Sequence, residues 1–372
     1  MPPFIDPATL EWILASDEPA ARWVVLTQLL DRLPDDPEVQ AAHRSLLADP
    51  GTRDLIGRLG DWDDPGPLSG HDSPAYAPNL LGLLADLGVR AGDDPRVDAA
   101  VEALLRHHDE AGRLATPSII RRIGPDPVLS ALLCDSHAII DVLIRFGRTA
   151  HPTVRLALDR MGADLVPTSQ SKGWPCIPSN GFRGPGRKGD VCPQVTLEAV
   201  RALARLSANR RPVAPADLSA AARTSLRVWI GRGTEKPYMF GHGVGFKTVK
   251  WPPFWYDVLW VLDTIGRYPE LWDVDAPTAD PGDRRAVAEL AACLMAYNLD
   301  TDGRATPRSC YRGFEDFSFG QKKRPSPFAT ARVLAVLRRF EGLADEIESV
   351  DLPSLGSSKG GSGTAVGPRA VR

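Results

Sequence analysis

The chain predicts an all-α protein, an (α/α)6 toroid (barrel) of inner and outer helices, on three observations. Six apolar stretches recur along its 372 residues, most of them opened by proline and closed by a small residue. Between them run second stretches richer in Asp, Glu and Arg. No run with the two-residue alternation of a half-buried strand stands out.

The apolar stretches are residues 19–33, 76–87, 129–146, 194–206, 254–265 and 328–340. With Pro34, Gly88, Gly147, Ser207, Gly266 and Glu341 as equivalent end points, their spacing is about 54 to 75 residues, longer than common two-helix solenoid repeats. Proline fits the first helical turn, where its missing N–H has no intrahelical partner anyway, and glycine suits the left-handed position after a helix. In 194–206, Val195, Ala199, Ala202 and Leu206 fall at helical spacing with Glu198, Arg201 and Arg205 between them, which reads as an amphipathic helix. The charged stretches 95–107, 153–161, 216–230 and 284–297 supply an outer ring around an apolar inner one. One domain, 1–353, is expected, followed by a Gly/Ser-rich tail, 354–372, that lacks apolar periodicity and is expected to be disordered.

A hydrophobic content of 43% is enough for a large core, and a net charge of -3 argues against nucleic acid as a partner. Pro2, Pro3, Phe4 and Ile5 follow the first methionine without a basic leader, and no apolar run approaches membrane-spanning length. A soluble cytoplasmic protein with no membrane span and no obligate protein partner is the expectation. Five cysteines, Cys134, Cys176, Cys192, Cys293 and Cys310, fit core thiols or one site better than a disulfide framework.

In an array of parallel inner helices, every loop entering a helix at its N-terminus lies on one rim. Three such loops repeat a mixture of aromatics and cations. The first carries Lys172, Trp174, Cys176, Phe182, Arg183, Arg187, Lys188, Asp190 and Cys192; the second carries Lys236, Tyr238, Phe240, His242, Phe246, Lys247, Lys250, Trp251, Trp255 and Tyr256. Tyr311, Arg312, Phe314, Phe317, Phe319, Lys322, Lys323 and Arg324 make the third. Long loops in compact domains are commonly functional, and helix N-termini attract anions. The rim therefore predicts a small-molecule site above an apolar cavity, with Trp174, Trp251, Trp255, Tyr256, Phe328, His242, Lys250, Lys322 and Lys323 as binding residues; the plainer alternative is that the aromatics plug the space and the cations are solvated.

Asp190 and Cys192 stand before the fourth apolar stretch, spaced so that a carboxylate and a thiolate reach one zinc ion, with His242 as a further ligand; the alternative makes Asp190 an N-cap and Cys192 a small buried residue. Cys134 and His137 are one helical turn apart, which offers His137 as a proton carrier or as a buried, hydrogen-bonded histidine. Asp257 enters the fifth stretch either as a general acid or as a first-turn carboxylate favoured by the helix dipole. Asp61, Trp62, Asp63 and Asp64, with His71 and Asp72, form an acidic loop before the second stretch. Asp300-Thr301-Asp302-Gly303 is an ordinary turn signal.

The α/α repeats, Lys172-Gly173-Trp174-Pro175-Cys176 leading to Asp190-Val191-Cys192-Pro193, and Trp251-Pro252-Pro253-Phe254-Trp255-Tyr256-Asp257-Val258-Leu259 together resemble the squalene-cyclase and protein-prenyltransferase toroid superfamily, in particular its bacterial prenyltransferase/squalene-oxidase-repeat members. The resemblance covers most of residues 1 to 345 in architecture and scattered motifs. It implies a cavity for an isoprenoid or other amphipathic anion and matches Asp190 and Cys192 to that superfamily's zinc-binding Asp-x-Cys pair. The histidine that completes such a site would fall near Trp255 or Tyr256 and is absent, as are a clear Asp-rich acid motif and Gln-Trp elements. Three readings follow: a cyclase- or transferase-type enzyme with Asp257, His137 or Asp190 handling protons; a non-catalytic binding or scaffold module; and a zinc-dependent enzyme of another reaction class on Asp190, Cys192 and His242.

Overall fold

A computed structural model describes residues 5–67, 73–119, 124–168, 171–176, 192–233 and 241–355. Among these the chain is mostly helical. The helices are α1 (Pro7–Leu14), α2 (Pro19–Val24), α3 (Pro37–Ala48), α4 (Pro50–Gly57), α5 (Ala77–Leu87), α6 (Pro95–Ala103), α7 (Leu133–Arg145), α8 (Pro152–Ala163), α9 (Pro193–Ala204), α10 (Pro215–Ile230), α11 (Val244–Lys247), α12 (Val258–Ile265), α13 (Pro281–Asn298), α14 (Pro327–Leu337) and α15 (Ala344–Glu348). Asp-Pro pairs open four of them: Asp6, Asp36, Asp94 and Asp280 each accept a hydrogen bond from an amide in the first turn, while the following proline occupies a position that needs no donor. No helix among the described residues is long and apolar enough to cross a membrane.

Among the described residues seven short strands depart from the strand-free expectation. They are β1 (Gly66–Pro67), β2 (Thr116–Ile119), β3 (Pro127–Ser130), β4 (Val166–Pro167), β5 (Lys172–Gly173), β6 (Lys250–Trp251) and β7 (Ser309–Cys310). The β2 and β3 strands pair antiparallel, with β1 parallel to β2; β4 pairs antiparallel with β5, and β6 parallel with β7. The apolar stretch 129–146 therefore begins as a strand, and its helix starts at Leu133. Leu352–Leu355 forms a 3-10 turn with Leu355 buried, and residues 356–372, which make up most of the expected tail, lie outside the described residues.

The chain divides into two compact units. The first comprises Met1–Gly51, Trp229–Lys236 and Gly241–Arg372; the second comprises Thr52–Val228 and Pro237–Phe240.

The six apolar helices fall three to each unit. In the second, α5 packs on α7 and α7 on α9, with α6 against α5 and α8 against α7. At the leading ends, Tyr76 lies within electrostatic range of Cys134 and Asp135, and the His137 ring meets the Val195 carbonyl at 3.1 Å. At the trailing ends, Arg145 binds Asp86 at 2.6 Å, and Arg205 and Arg201 bind Asp141 at 2.6 and 3.2 Å. Heads meet heads and tails meet tails, so the three helices run parallel.

The same logic holds in the first unit. Glu18, ahead of α2, accepts from the Phe328 amide in the first turn of α14 at 3.1 Å, while Arg338 past the end of α14 binds Asp31 at 2.5 Å. Arg339 reaches Asp263 near the end of α12 at 2.8 Å. Here α12, α14 and α2 run parallel, with α13 packed on α12 and α3 on α2.

One turn recurs in both units. The Asp109 amide donates to the Arg113 carbonyl and the Arg113 amide to the Asp109 carboxylate; Asp300 and Arg304 repeat both bonds. Gly112 and Gly303 adopt φ of 85° and 69°, which glycine accepts without strain. The Asp300 segment is thus a turn, as its sequence indicates.

Helix α9 corrects the amphipathic reading of 194–206. Pro193 to Val200 are all buried, Glu198 included, and the charges of Arg201 and Arg205 close on Asp141 of the neighbouring helix. Its polar residues face helices rather than solvent.

Candidate functional site

In the second unit, buried polar side chains concentrate at the leading ends of α5, α7 and α9. Tyr76 and Thr116 share a hydroxyl hydrogen bond of 2.9 Å. Asp135, Cys134, Gln194, Glu198 and Cys192 are all at most 5% exposed. The Gln194 amide donates to the Glu198 carboxylate, which assigns the amide orientation and leaves Gln194 Oε1 as an acceptor with no partner. Burial, then the charges of Asp135 and Glu198, push the Cys134 thiol far up.

His137 is placed differently from the pairing with Cys134 that one-turn spacing invites. Its ring stands edge-on to Trp174, with centroids 5.9 Å apart, and Asp164 and Arg113 are its electrostatic neighbours. The Val195 carbonyl can only accept, so Nδ1 carries the proton and Nε2 is a buried acceptor with no partner. Burial lowers the pKa to about 4, and the imidazole is neutral at physiological pH. Trp174 is fully buried, with its indole N–H on the Met161 carbonyl at 2.7 Å and its backbone on Thr196. It is a wall of the fold rather than an open binding surface.

In the first unit, Asp257 caps α12 by accepting from the Trp260 amide at 2.9 Å. Burial raises its carboxyl to about 7 against the opposing effect of the Trp260 and Leu259 amides, so proton donor and N-cap are both compatible with its position. His242 Nε2 meets the Tyr256 hydroxyl at 3.1 Å, and burial together with Arg232 and Lys247 lowers that histidine to about 4. Phe246 completes the group, 4.7 Å from the His242 ring and 5.2 Å from that of Tyr256.

The aromatic residues expected to line a cavity are largely packed on one another. Trp251 and Phe328 are each 1% exposed and stand 6.4 Å apart edge-on, and Phe319 lies against both. Trp255 is half-buried. Lys250 sits over the Tyr311 ring at 3.6 Å on the surface, and Lys322 and Lys323 are exposed. A cleft of 460 Å³ in the same unit, lined by Arg284, Glu289, Glu346 and Asp351 among others, contains none of the predicted residues.

Asp190 lies outside the described residues, with Phe182, Arg183, Arg187, Lys188, Lys236, Tyr238, Phe240, His71 and Asp72. Of the other expected zinc ligands, Cys192 belongs to the second unit and His242 to the first. Burial pushes the Cys192 thiol up to about 12, outweighing the Val195 and Gln194 amides that act to lower it. Among the described residues no group of three His, Cys, Asp or Glu side chains could hold a metal ion.

Sequence reasoning missed Tyr76, Thr116, Asp135, Gln194, Glu198 and Glu18. Placement in or just before the first turn of an apolar helix marks most of them. Glu18 is half-buried, desolvation raises its pKa, and it accepts from the Ser318 hydroxyl at 2.6 Å. The acidic loop is partly explained: Asp63 pairs with His107 at 2.7 Å and Arg106 at 3.3 Å. Compared with known proteins, the chain matches no family model, no curated protein and no solved structure.

Proposed function

We propose that the fold is an (α/α)6 toroid of inner and outer helices, and that the leading ends of α5, α7 and α9 form a site for an amphipathic small molecule of isoprenoid type. The observation that carries this reading is the gathering of buried polar side chains at those ends, where Gln194 Oε1 and His137 Nε2 have no hydrogen-bond partner among the described residues. Unmet buried acceptors cost stability unless a ligand or water supplies donors. The enzymatic form of the reading is cyclase- or transferase-type, with Asp257 as proton donor, since a carboxyl titrating near neutrality holds a proton and can release it.

The test is native mass spectrometry of the full chain against isoprenoid alcohols and their diphosphates, followed by product analysis for any ligand that binds. Binding by wild type, retained in Asp257→Asn while turnover disappears, is the expected result. Absence of binding across the whole panel sinks the reading.

A second reading, a scaffold that keeps the fold without chemistry, draws on the interlocked Trp251, Phe319 and Phe328 side chains, which occupy space assigned above to pocket walls. Binding with no turnover in wild type is its expected signature.

A further inference from the structure

The 460 Å³ cleft in the first unit has a volume within the range of about 300–1,000 Å³ that ligand pockets occupy. One wall is a stripe of α13, Pro281, Arg284, Arg285, Ala288 and Glu289, at the three- and four-residue spacing of a single helix face. Residues 346–355 make the other, with Glu346, Ser349, Asp351 and Ser354 as its polar members. Arg284 binds Glu346 across the cleft at 2.5 Å, and these two charges cancel. Glu289 is claimed by groups that do not line the cleft: its Oε2 accepts from the Trp229 indole at 2.9 Å and from Arg232 at 3.3 Å. Arg285 is left with an exposed 3.3 Å contact to Glu289, its side chain 82% accessible, and an ion pair of that kind contributes little. Its guanidinium is therefore open to an anion. On the facing wall Asp351 holds Ser354 through its carbonyl and enters no ion pair among the described residues, so its carboxylate is open to a cation. The Ser349 and Ser354 hydroxyls already donate to the Glu346 and Asp351 carbonyls, which leaves their oxygens as acceptors on the same wall.

We propose that this cleft binds a small zwitterion, an amino acid or short peptide with free ends, its carboxylate on Arg285 and its ammonium on Asp351. The planar guanidinium fork matches a carboxylate through two parallel hydrogen bonds. An ammonium brings three donors to a wall made of the Asp351 carboxylate and the two serine oxygens. Ala288, Val350 and Leu355 give the space between them an apolar lining that a ligand side chain can cover. A ligand with only one of the two charges places it against one open partner and leaves the other without a counter-ion. The cleft shares no residue with the leading ends of the helices, and the zwitterion site does not depend on the function proposed for them.

The test is calorimetric titration of the full chain with alanyl-leucine, its N-acetylated form and its C-terminal amide. Alanyl-leucine is expected to saturate with a Kd below about 1 mM and to bind at least about tenfold more tightly than either blocked form. Asp351→Asn should weaken alanyl-leucine about tenfold and leave the N-acetylated form, which has no ammonium, unchanged. Arg285→Gln should weaken alanyl-leucine by a similar factor and spare the amide, which has no carboxylate. Both side chains are exposed, so neither change endangers the fold, and unfolding midpoints equal to wild type check this. Free leucine in the same titration separates the two sources of the zwitterion: affinity equal to that of alanyl-leucine assigns the cleft to amino acids, and weaker binding assigns it to peptides. No saturation by alanyl-leucine up to about 10 mM, equal binding of the three forms, or wild-type affinity in either variant overturns the proposal.

Discussion

The two ends of the parallel helices α5, α7 and α9 are built from opposite chemistry. At the trailing ends each charge has a partner on the next helix: Asp86 with Arg145, and Asp141 with Arg201 and Arg205. At the leading ends the buried groups are thiols, an amide, hydroxyls, a neutral imidazole and the carboxylates Asp135 and Glu198, and among the described residues Gln194 Oε1 and His137 Nε2 have no hydrogen-bond partner. Charge pairs between neighbouring helices fix register and tolerate no loss of one member. An excess of acceptors fixes nothing by itself, and it persists where something other than the fold selects it. The contrast marks the trailing ends as charge-paired contacts between helices, and recognition at the leading ends is the part of it that belongs to the proposed function.

The largest expected effect breaks the trailing end. Burial acts against the Asp141 carboxylate, yet Arg205, Arg201 and Arg145 together hold its pKa well below the usual range. Asp141→Ala leaves two arginines in a largely buried setting without their counter-ion, at an expected cost of roughly 3–5 kcal/mol in urea unfolding. Because this pKa is depressed, the contribution of the carboxylate is complete above about pH 4 and is lost as pH falls further toward its folded value. A loss under about 1 kcal/mol would dissolve the distinction between the two ends.

The leading end has its own acid window. His137 titrates near 4 when folded and near 6.5 when unfolded, so between those values the unfolded chain takes up a proton that the folded chain refuses. Stability contributed at this position is intact above about pH 7 and declines as pH drops through the window. From pH 7 to pH 4, wild type should lose on the order of 3 kcal/mol more than His137→Phe, measured by denaturant unfolding at both pH values. Equal losses would show that His137 is neither buried nor neutral.

The helices of this architecture were largely legible because proline and glycine punctuate them: five of the six apolar stretches have structured counterparts whose starts differ by no more than one residue or follow a proline-rich entry, and α7 begins late because β3 takes its first residues. The paired ends were not legible. Arg201 and Arg205 have the four-residue spacing of a solvated helix face, and nothing local points to Asp141, which lies in another helix. The strands escaped notice because they are two to four residues long and come from backbone pairing between loops rather than from alternation. Cys192 showed the limit of helix-end reasoning: amides in the first turn favour a thiolate, but burial is the stronger effect. Of the residues named for the candidate site, Trp174, Trp251 and Phe328 are buried in the fold while Lys250, Lys322 and Lys323 are exposed, a division that residue type alone does not announce.

Asp86 offers a weaker trailing-end test, since its pair with Arg145 is partly exposed and the arginine keeps a second bond to the Gly82 carbonyl at 2.9 Å. Asp86→Asn should cost roughly 1–2 kcal/mol in thermal or urea unfolding, clearly less than Asp141→Ala. Equal costs would mean that burial does not grade the pairs.

The smallest effect is expected at Gln194, and it sharpens the comparison most. Gln194→Met keeps the length of the side chain and removes both the unmet acceptor and the donor to Glu198. Losing the acceptor relieves a burial cost and losing the donor adds one, so the two changes oppose each other within about 1 kcal/mol. Urea unfolding of this variant should therefore lie close to wild type, while affinity for any ligand recognised at the leading ends should fall. A cost as large as that of Asp141→Ala would make Gln194 a structural residue and remove the leading end of α9 from the proposed site, because a group selected for recognition can be exchanged without endangering the fold that presents it.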